Sequence, residues 1–293
     1  MNSGNQTPLR ECRFLNEEHF ESVFTTFNEA FSDYLLPFAM TEVQFRNHIN
    51  LNGVDLTQTV GCFEGERMIG CSLNGFGEWN GRMTVYDAGT GVVPSARRQG
   101  VSEAMFEMMT PIFRGQGIEQ WLLEVITSNE PAIRLYRKLG FKPVRELALL
   151  QCDNGMKLSA PPPDGISLVE MPAPDRPLLR SFWAGTPSWQ NSCDAMERSV
   201  KLKRVFGAFL DSRCVGYIAF SARFGRVAQI AVDKKFRGRG IGTMLLAKMG
   251  ELTEPGYSLQ IINLDKSLED AMRFFRNRGF YERICQHEML MQM

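Results

Sequence analysis

Apolar positions along this chain change their period repeatedly, and each change predicts an element. In "EEHFESVFTTFNEAF", Phe20, Val23, Phe24, Phe27 and Phe31 recur near helical spacing. "TEVQFRNHI" predicts a second helix with Thr41 as its N-cap. An opening strand is expected at "LRECRFL", followed after the helices by strands at "TQTVGCFEG", "RMIGCSLNGFGEW" and "MTVYDAGTGVV". The first two of these suit a hairpin across "EGE", and "WNGR" is a turn before the third. "SEAMFEMMTPIF" is helical, "EQWLLEVI" a strand, "EPAIRLYRKLG" a helix and "FKPVRELALLQ" a closing strand.

The same order then runs again. "SLVEM", helical stretches around 177–183 and 189–200, "RVFGAFLD", "RCVGYIAFSA", "RVAQIAVD", "RGRGIGTMLLAKM", "YSLQIINL", "LEDAMRFFRNRG" and "FYERICQHEML" follow one another. Gly100 matches Gly240, and Gly140-Phe141 matches Gly279-Phe280, each about 140 residues on. That spacing reads as two copies of one domain. Polar, Pro-rich "CDNGMKLSAPPPDG" lies between them, where Pro161, Pro162 and Pro163 can neither continue a helix nor donate to a sheet. The expected division is a first domain over 1–151, a linker over 152–165 and a second domain over 166–293. The fold class is α/β (α+β), each copy a mixed, mostly antiparallel sheet with helices on its faces.

Composition narrows the partners. Lys plus Arg and Asp plus Glu number 33 each, so no polyanionic partner such as nucleic acid is expected. The start "MNSGNQTPLREC" has no apolar signal-like stretch, and no apolar run approaches the roughly 20 residues of a membrane span. Seven scattered cysteines without a C-x-x-C pair argue for reduced thiols and a cytoplasmic setting. Three dispersed histidines give no zinc spacing, so no metal is expected.

The candidate chemistry starts at "RGRGIG", where Gly238, Gly240 and Gly242 stand at a helix entrance, and at its blurred copy "RRQGVS". Glycine is costly in a helix, so three there need a reason. A Gly-rich turn running into a helix converges main-chain N–H groups on one point, which suits a pyrophosphate. Arg237 and Arg239 add charge at the rim. Either segment alone also fits a flexible basic turn. Neither is a Walker loop or a dinucleotide fingerprint.

Both loops resemble the R-x-x-G-x-G/A segment that grips the acyl-CoA pyrophosphate in the GNAT superfamily of N-acyltransferases. "NEPAIRLYRKLGF" resembles that family's next block, N-x-x-A-x-x-x-Y-x-x-x-G-F. The resemblance covers both halves, and tandem copies look like mycothiol synthase-type acetyltransferases. It implies two tandem GNAT-like domains whose fourth and fifth strands splay to admit the pantetheine arm. It also implies acetyl-CoA as cosubstrate, with Val92, Val93, Arg97, Arg98, Gln99, Gly100, Val101, Ser102 and Asn129 holding it in the first copy. Arg237, Gly238, Arg239, Gly240, Ile241 and Gly242 would hold it in the second. Ser102 departs from the family's Gly or Ala.

Acyl transfer to an amine needs a base, an oxyanion donor and an acid for the leaving thiolate. "LEV…SNxxAxxLYxxLGF" is similar to GNAT enzymes that acetylate ribosomal-protein N-termini. That resemblance makes Glu124 the general base and Tyr136 the general acid, with the Val93 N–H as oxyanion donor. Phe31, Tyr34, Phe38 and Tyr86 are candidates to line an acceptor pocket, though core packing explains them as well. The second copy has Asn263, Leu268 and Phe275 where the first has Glu124, Asn129 and Tyr136. A phenyl ring donates no proton, so the second copy is expected to be degenerate in acid–base residues. The leading expectation is an acetyl-CoA-dependent N-acetyltransferase, monomer or homodimer, acting on a small amine or a peptide N-terminus. The alternatives are a non-catalytic acyl-CoA-binding or sensing protein, and an enzyme for a longer acyl group.

Overall fold

The computed structural model describes residues 10–34, 39–153, 163–172 and 175–293. The chain divides into two units, Met1–Val144 with Glu288–Met293, and Arg145–His287. Phe38 and most of the Pro-rich connection (154–162) lie outside the described residues.

The first unit runs β1 (Arg10–Phe14), α1 (Phe20–Ala30), α2 (Glu42–Asn52), β2 (Val60–Glu64), β3 (Arg67–Trp79), β4 (Arg82–Val92), α3 (Val101–Gly115), β5 (Gln120–Ile126) and α4 (Glu130–Lys138). Thr41 caps α2 as expected, in a capping box with Gln44. Strands β1 to β4 pair antiparallel in order, and β5 joins β4 in parallel. One face of this sheet carries α3 and α4 over a core that includes Val85, Met105, Phe106, Trp121, Leu123 and Phe141. Over the other face, α1 and α2 bring together the rings of Phe20, Phe24, Phe27 and Phe45.

The second unit repeats this plan. After β6 (Lys142–Cys152) come β7 (Ile166–Glu170), α5 (Arg176–Ser181), α6 (Cys193–Arg198), β8 (Arg204–Leu210), β9 (Arg213–Ser221) and β10 (Arg226–Val232). Then follow α7 (Ile241–Leu252), β11 (Leu259–Asp265), α8 (Glu269–Arg276) and β12 (Tyr281–Gln292). Its sheet order is β6-β11-β10-β9-β8-β7.

The units differ from the expected division at both closing strands. Leu147–Cys152 of β6 pairs with β11 and buries Ala148, Leu150 and Cys152 in the second core. The last residues of β12 stand beside β5 and bury Met289 and Met291 in the first core. Each unit is completed by the other copy's closing strand. Both strands are apolar at their ends, so either sheet edge accepts either strand by pattern alone.

The expectation of seven reduced thiols is corrected at one pair. Cys12 and Cys62 lie opposite each other on β1 and β2 and are disulfide-bonded, leaving five free cysteines among the described residues. Antiparallel register sets them face to face, which their separation in sequence could not reveal. No helix among the described residues is long and apolar enough to cross a membrane.

Candidate active site

Strand β4 pairs with β5 only from Thr84–Gln120 to Asp87–Leu123, yet β4 continues to Val92 and β5 to Ile126. The cause is a β-bulge at Ala88, where the β3 register shifts. Gly89 follows at φ 149°, and a Cβ there would sit 2.7 Å from the Phe27 ring. A side chain is therefore excluded, and β4 bends away from β5. The second unit does the same 140 residues on. There β10 pairs with β11 only at Arg226–Gln260 and Val227–Ile261, and the β9 register shifts between Val227 and Gln229. Gln229 replaces the glycine, so nothing in the composition marked this second bend.

Beyond each bend a short 3-10 turn leads into the glycine loop. Gly100 and Gly240 cap α3 and α7 in left-handed conformations, φ 77° and 85°. Arg98 and Gly238 take left-handed φ of 59° and 76° at matching positions. A Cβ on Gly100 or Gly238 would meet nothing within 4 Å, and on Gly240 only Pro163 at 3.9 Å. Both helix mouths are thus open, with main-chain N–H groups directed outward.

The other loop residues divide by task. Val101 and Ile241 are buried core anchors. Gly242 makes room for the Phe274 ring, 3.0 Å from where its Cβ would stand, so the third glycine serves helix packing. Ser102 is half-buried in the first turn of α3, while Arg98 and Arg239 are exposed. Gln99 receives a hydrogen bond from Arg10 and donates to Ser95 O at 3.1 Å.

Two expected roles change. Arg97 does not face the loop mouth. Its Nε donates to Val92 O at 3.1 Å, and its Nη2 to Ala30 O at 2.9 Å. Arg237 repeats this clamp, Nε to Val232 O and Nη2 to Phe182 O, both at 3.0 Å. The Val93 N–H, expected as oxyanion donor, donates to Ile69 O at 2.9 Å and is spent on the sheet. Val92 closes the strand with its carbonyl on Arg97.

At the parting of β4 and β5 lie the candidate acid and base. Tyr136, buried on α4, donates its hydroxyl to Asp87 Oδ2 at 3.3 Å. Asp87 Oδ1 accepts from Gly89 N at 2.9 Å and Thr90 Oγ1 at 3.0 Å, and Thr90 is bonded to Ser72 at 2.8 Å. Burial pushes the Asp87 carboxyl up to about 6, against these hydrogen bonds. Burial, then the Asp87 charge, raises the Tyr136 phenol well above its ordinary range.

Glu124 is half-buried on β5. It hydrogen-bonds Tyr86, whose phenol is raised by burial first and by the Glu124 charge next. Tyr86 and Asp87 are consecutive on β4, so they serve opposite faces of the sheet. Glu288, fully buried near Tyr86, comes from the far end of the chain. Asn129 caps α4 through Ala132 N at 3.3 Å and hydrogen-bonds Tyr34. His48 Nδ1 faces the Asn52 amide at 3.3 Å and its Nε2–H donates to Ala88 O at 2.7 Å, which holds the bulge. Burial lowers this imidazole, so it is neutral. Sequence reasoning missed Asp87, Glu288 and His48. A polar residue between apolar strand positions was the available signal for Asp87, between Tyr86 and Ala88.

The second unit carries no such pair at the matching positions. Asn263 is buried and accepts from Gln286 at 2.9 Å, and Phe275 packs among Phe274 and Phe280. Asn191 bridges the parted strands, donating to Ile262 O at 2.7 Å and accepting from Gln229. Tyr217 and Trp183 continue that chain, at 2.9 and 2.6 Å.

Residues 20–141 match the Acetyltransferase (GNAT) family, and residues 201–282 the Acetyltransferase (GNAT) domain. The chain belongs to the GNAT acetyltransferase family. It is a tandem GNAT protein, and its chemistry is acyl transfer from an acyl-CoA. Among solved structures it is similar to a tandem GNAT protein from the clavulanic acid biosynthesis pathway. That match has a TM-score of 0.73 and 15% identity, over 97% of this chain and 98% of the other. It is also similar to a GCN5-related N-acetyltransferase from Sphaerobacter thermophilus, with a TM-score of 0.70 and 18% identity over 97% and 95% of the two chains. At such identities the likeness is one of fold. No match is found among curated proteins.

Proposed function

We propose that the first unit of this GNAT protein is an acetyl-CoA-dependent N-acetyltransferase site, and that the second unit is a cofactor cradle without acid–base chemistry. One observation carries the reading: a carboxylate and a phenol flank the opening of β4 and β5, whereas Asn263 and Phe275 occupy the matching positions of the second unit. The open loop fits a CoA pyrophosphate, because its main-chain donors face outward and no Cβ stands in front of Gly100. Arg98, Gln99, Gly100, Val101 and Ser102 would supply that grip, and Asn129 would hold the pantetheine arm. The thioester supplies an acyl carbon open to attack and a thiolate leaving group.

Glu124 takes the proton of the attacking amine, directly or through water, and Tyr136 supplies a proton to sulfur. The acceptor is a primary amine of a small molecule or a peptide N-terminus. In the second unit Arg237, Gly238, Arg239, Gly240, Ile241 and Gly242 form the corresponding loop, and Asn191 spans the opening behind it.

CoA-thiol release with a panel of amines tests this. Tyr136→Phe should lower kcat by roughly 10²–10⁴-fold, the range of general acid–base catalysis. Binding of acetyl-CoA with no amine-dependent release, and indifference to the substitution, would identify a sensor instead.

A further inference from the structure

Asp87 has no place in the acid–base scheme above, yet it is the group that Tyr136 touches. The residue is 6% exposed, and one carboxyl oxygen is held by Gly89 and Thr90 while the other receives the phenol. Its titratable neighbours come from several elements. Cys71 on β3 and Tyr86 on β4 feel its charge, Tyr34 adjoins Tyr136, and neutral His48 of α2 bonds the next residue. A phenol that donates to a carboxylate has its hydrogen aimed at that carboxylate, and losing it would create two adjacent anions. Tyr136 in that state is a poor acid.

We propose that Asp87 is the positioning residue for Tyr136: protonated, it donates to the phenol oxygen and frees the phenol hydrogen for the leaving sulfur, and ionised, it withholds that hydrogen. The inference rests on the reading of the first unit as catalytic. The amine nitrogen bonds the acyl carbon and gives one proton to Glu124. The carbon–sulfur bond breaks with its electron pair on sulfur, sulfur takes the Tyr136 proton, and the hydrogen bond from protonated Asp87 holds the phenolate that is left. Solvent receives the Glu124 proton and returns one to the Tyr136 oxygen, so the protons balance. With its carboxyl pushed up to about 6, Asp87 offers both forms near neutrality.

The first test needs no substrate. In protein labelled with ¹³C at Asp and Tyr carbons, the Asp87 carboxyl and the Tyr136 ring should shift with one shared midpoint near 6. Thr90→Val removes a donor from the carboxylate and should move both midpoints to higher pH. Asp87→Asn should abolish the Tyr136 transition.

In turnover with a weakly basic amine, wild-type kcat should fall about tenfold per pH unit above that midpoint, following the protonated fraction. Asp87→Asn is a permanent donor to the phenol and should give a flat profile, roughly tenfold or more above wild type at about pH 8. A Tyr136 signal that ignores the Asp87 midpoint, or an Asp87→Asn profile keeping the wild-type inflection, overturns the proposal. Coupled titrations in a protein with no amine-dependent turnover overturn the catalytic reading of the unit.

Discussion

Arg97 and Asp33 meet fork to fork, Nη1 to Oδ2 at 2.7 Å and Nη2 to Oδ1 at 2.6 Å. With its hydrogen bonds to Val92 O and Ala30 O, Arg97 ties the end of α1 to the end of β4. The pair with Asp33 is exposed and contributes little, whereas the two carbonyls lose a charged donor when Arg97 is removed. Arg97→Ala should therefore destabilise the first unit by about 1–3 kcal/mol. Arg97→Lys should recover part of that, since one ammonium cannot serve four acceptors in a plane. Urea denaturation measures both. An unchanged midpoint with weaker CoA binding would return Arg97 to the phosphate-ligand role.

Asp87 should also shape stability against pH. Its folded-state value of about 6 lies above the ordinary 3.8, so the folded protein holds this proton more tightly than the unfolded chain. Stability should then fall as pH rises from about 4 to about 6, by at most roughly 3 kcal/mol, and stay lower above that range. Asp87→Asn should flatten this slope. Thermal melts at about pH 4.5 and pH 7.5 compare the two proteins, and an equal slope in both would exclude Asp87 as its source.

Asn191 spans the opening in the second unit, its side-chain amide donating to Ile262 O and its main-chain carbonyl accepting from Gln229. Asn191→Ala leaves the Ile262 carbonyl without this donor in a partly buried setting, at a cost of about 1–3 kcal/mol. Hydrogen exchange should quicken along β10 and β11 and leave β4 and β5 as they were. Uniform protection after the substitution would mean that the bridge holds nothing.

Met289 and Met291 test the exchanged strand. Met289 is fully buried in the first core although it lies at the end of the second copy. Met289→Ala should cost about 2–5 kcal/mol and loosen β5 before β10. Exchange that quickens first around β10 would assign the strand to the second unit.

Much of this was legible in the chain. The strand "RMIGCSLNGFGEW" spans the residues of β3, and Thr41 caps α2, because period and capping are local properties. The two loops were found for a related reason, since Gly100 and Gly240 need a left-handed backbone that few residues tolerate. Arg97 was misread because a charge beside a glycine turn suits a phosphate or a carbonyl equally well. Val93 was misread because register decides which strand amides are spent, and register is a property of the sheet.

The amino-acid order by itself determined two copies of one α/β plan, the glycine-capped loop at each helix entrance, and the unequal supply of carboxylate and phenol between them. These follow from local backbone preference and side-chain chemistry. Only the tertiary structure decided that the closing strands change places, that Arg97 and Arg237 are clamps, and that Asp87 lies against Tyr136. Each of those depends on groups far apart in sequence becoming neighbours in a sheet, where hydrogen-bond register and burial choose between partners that the pattern of residues leaves equivalent.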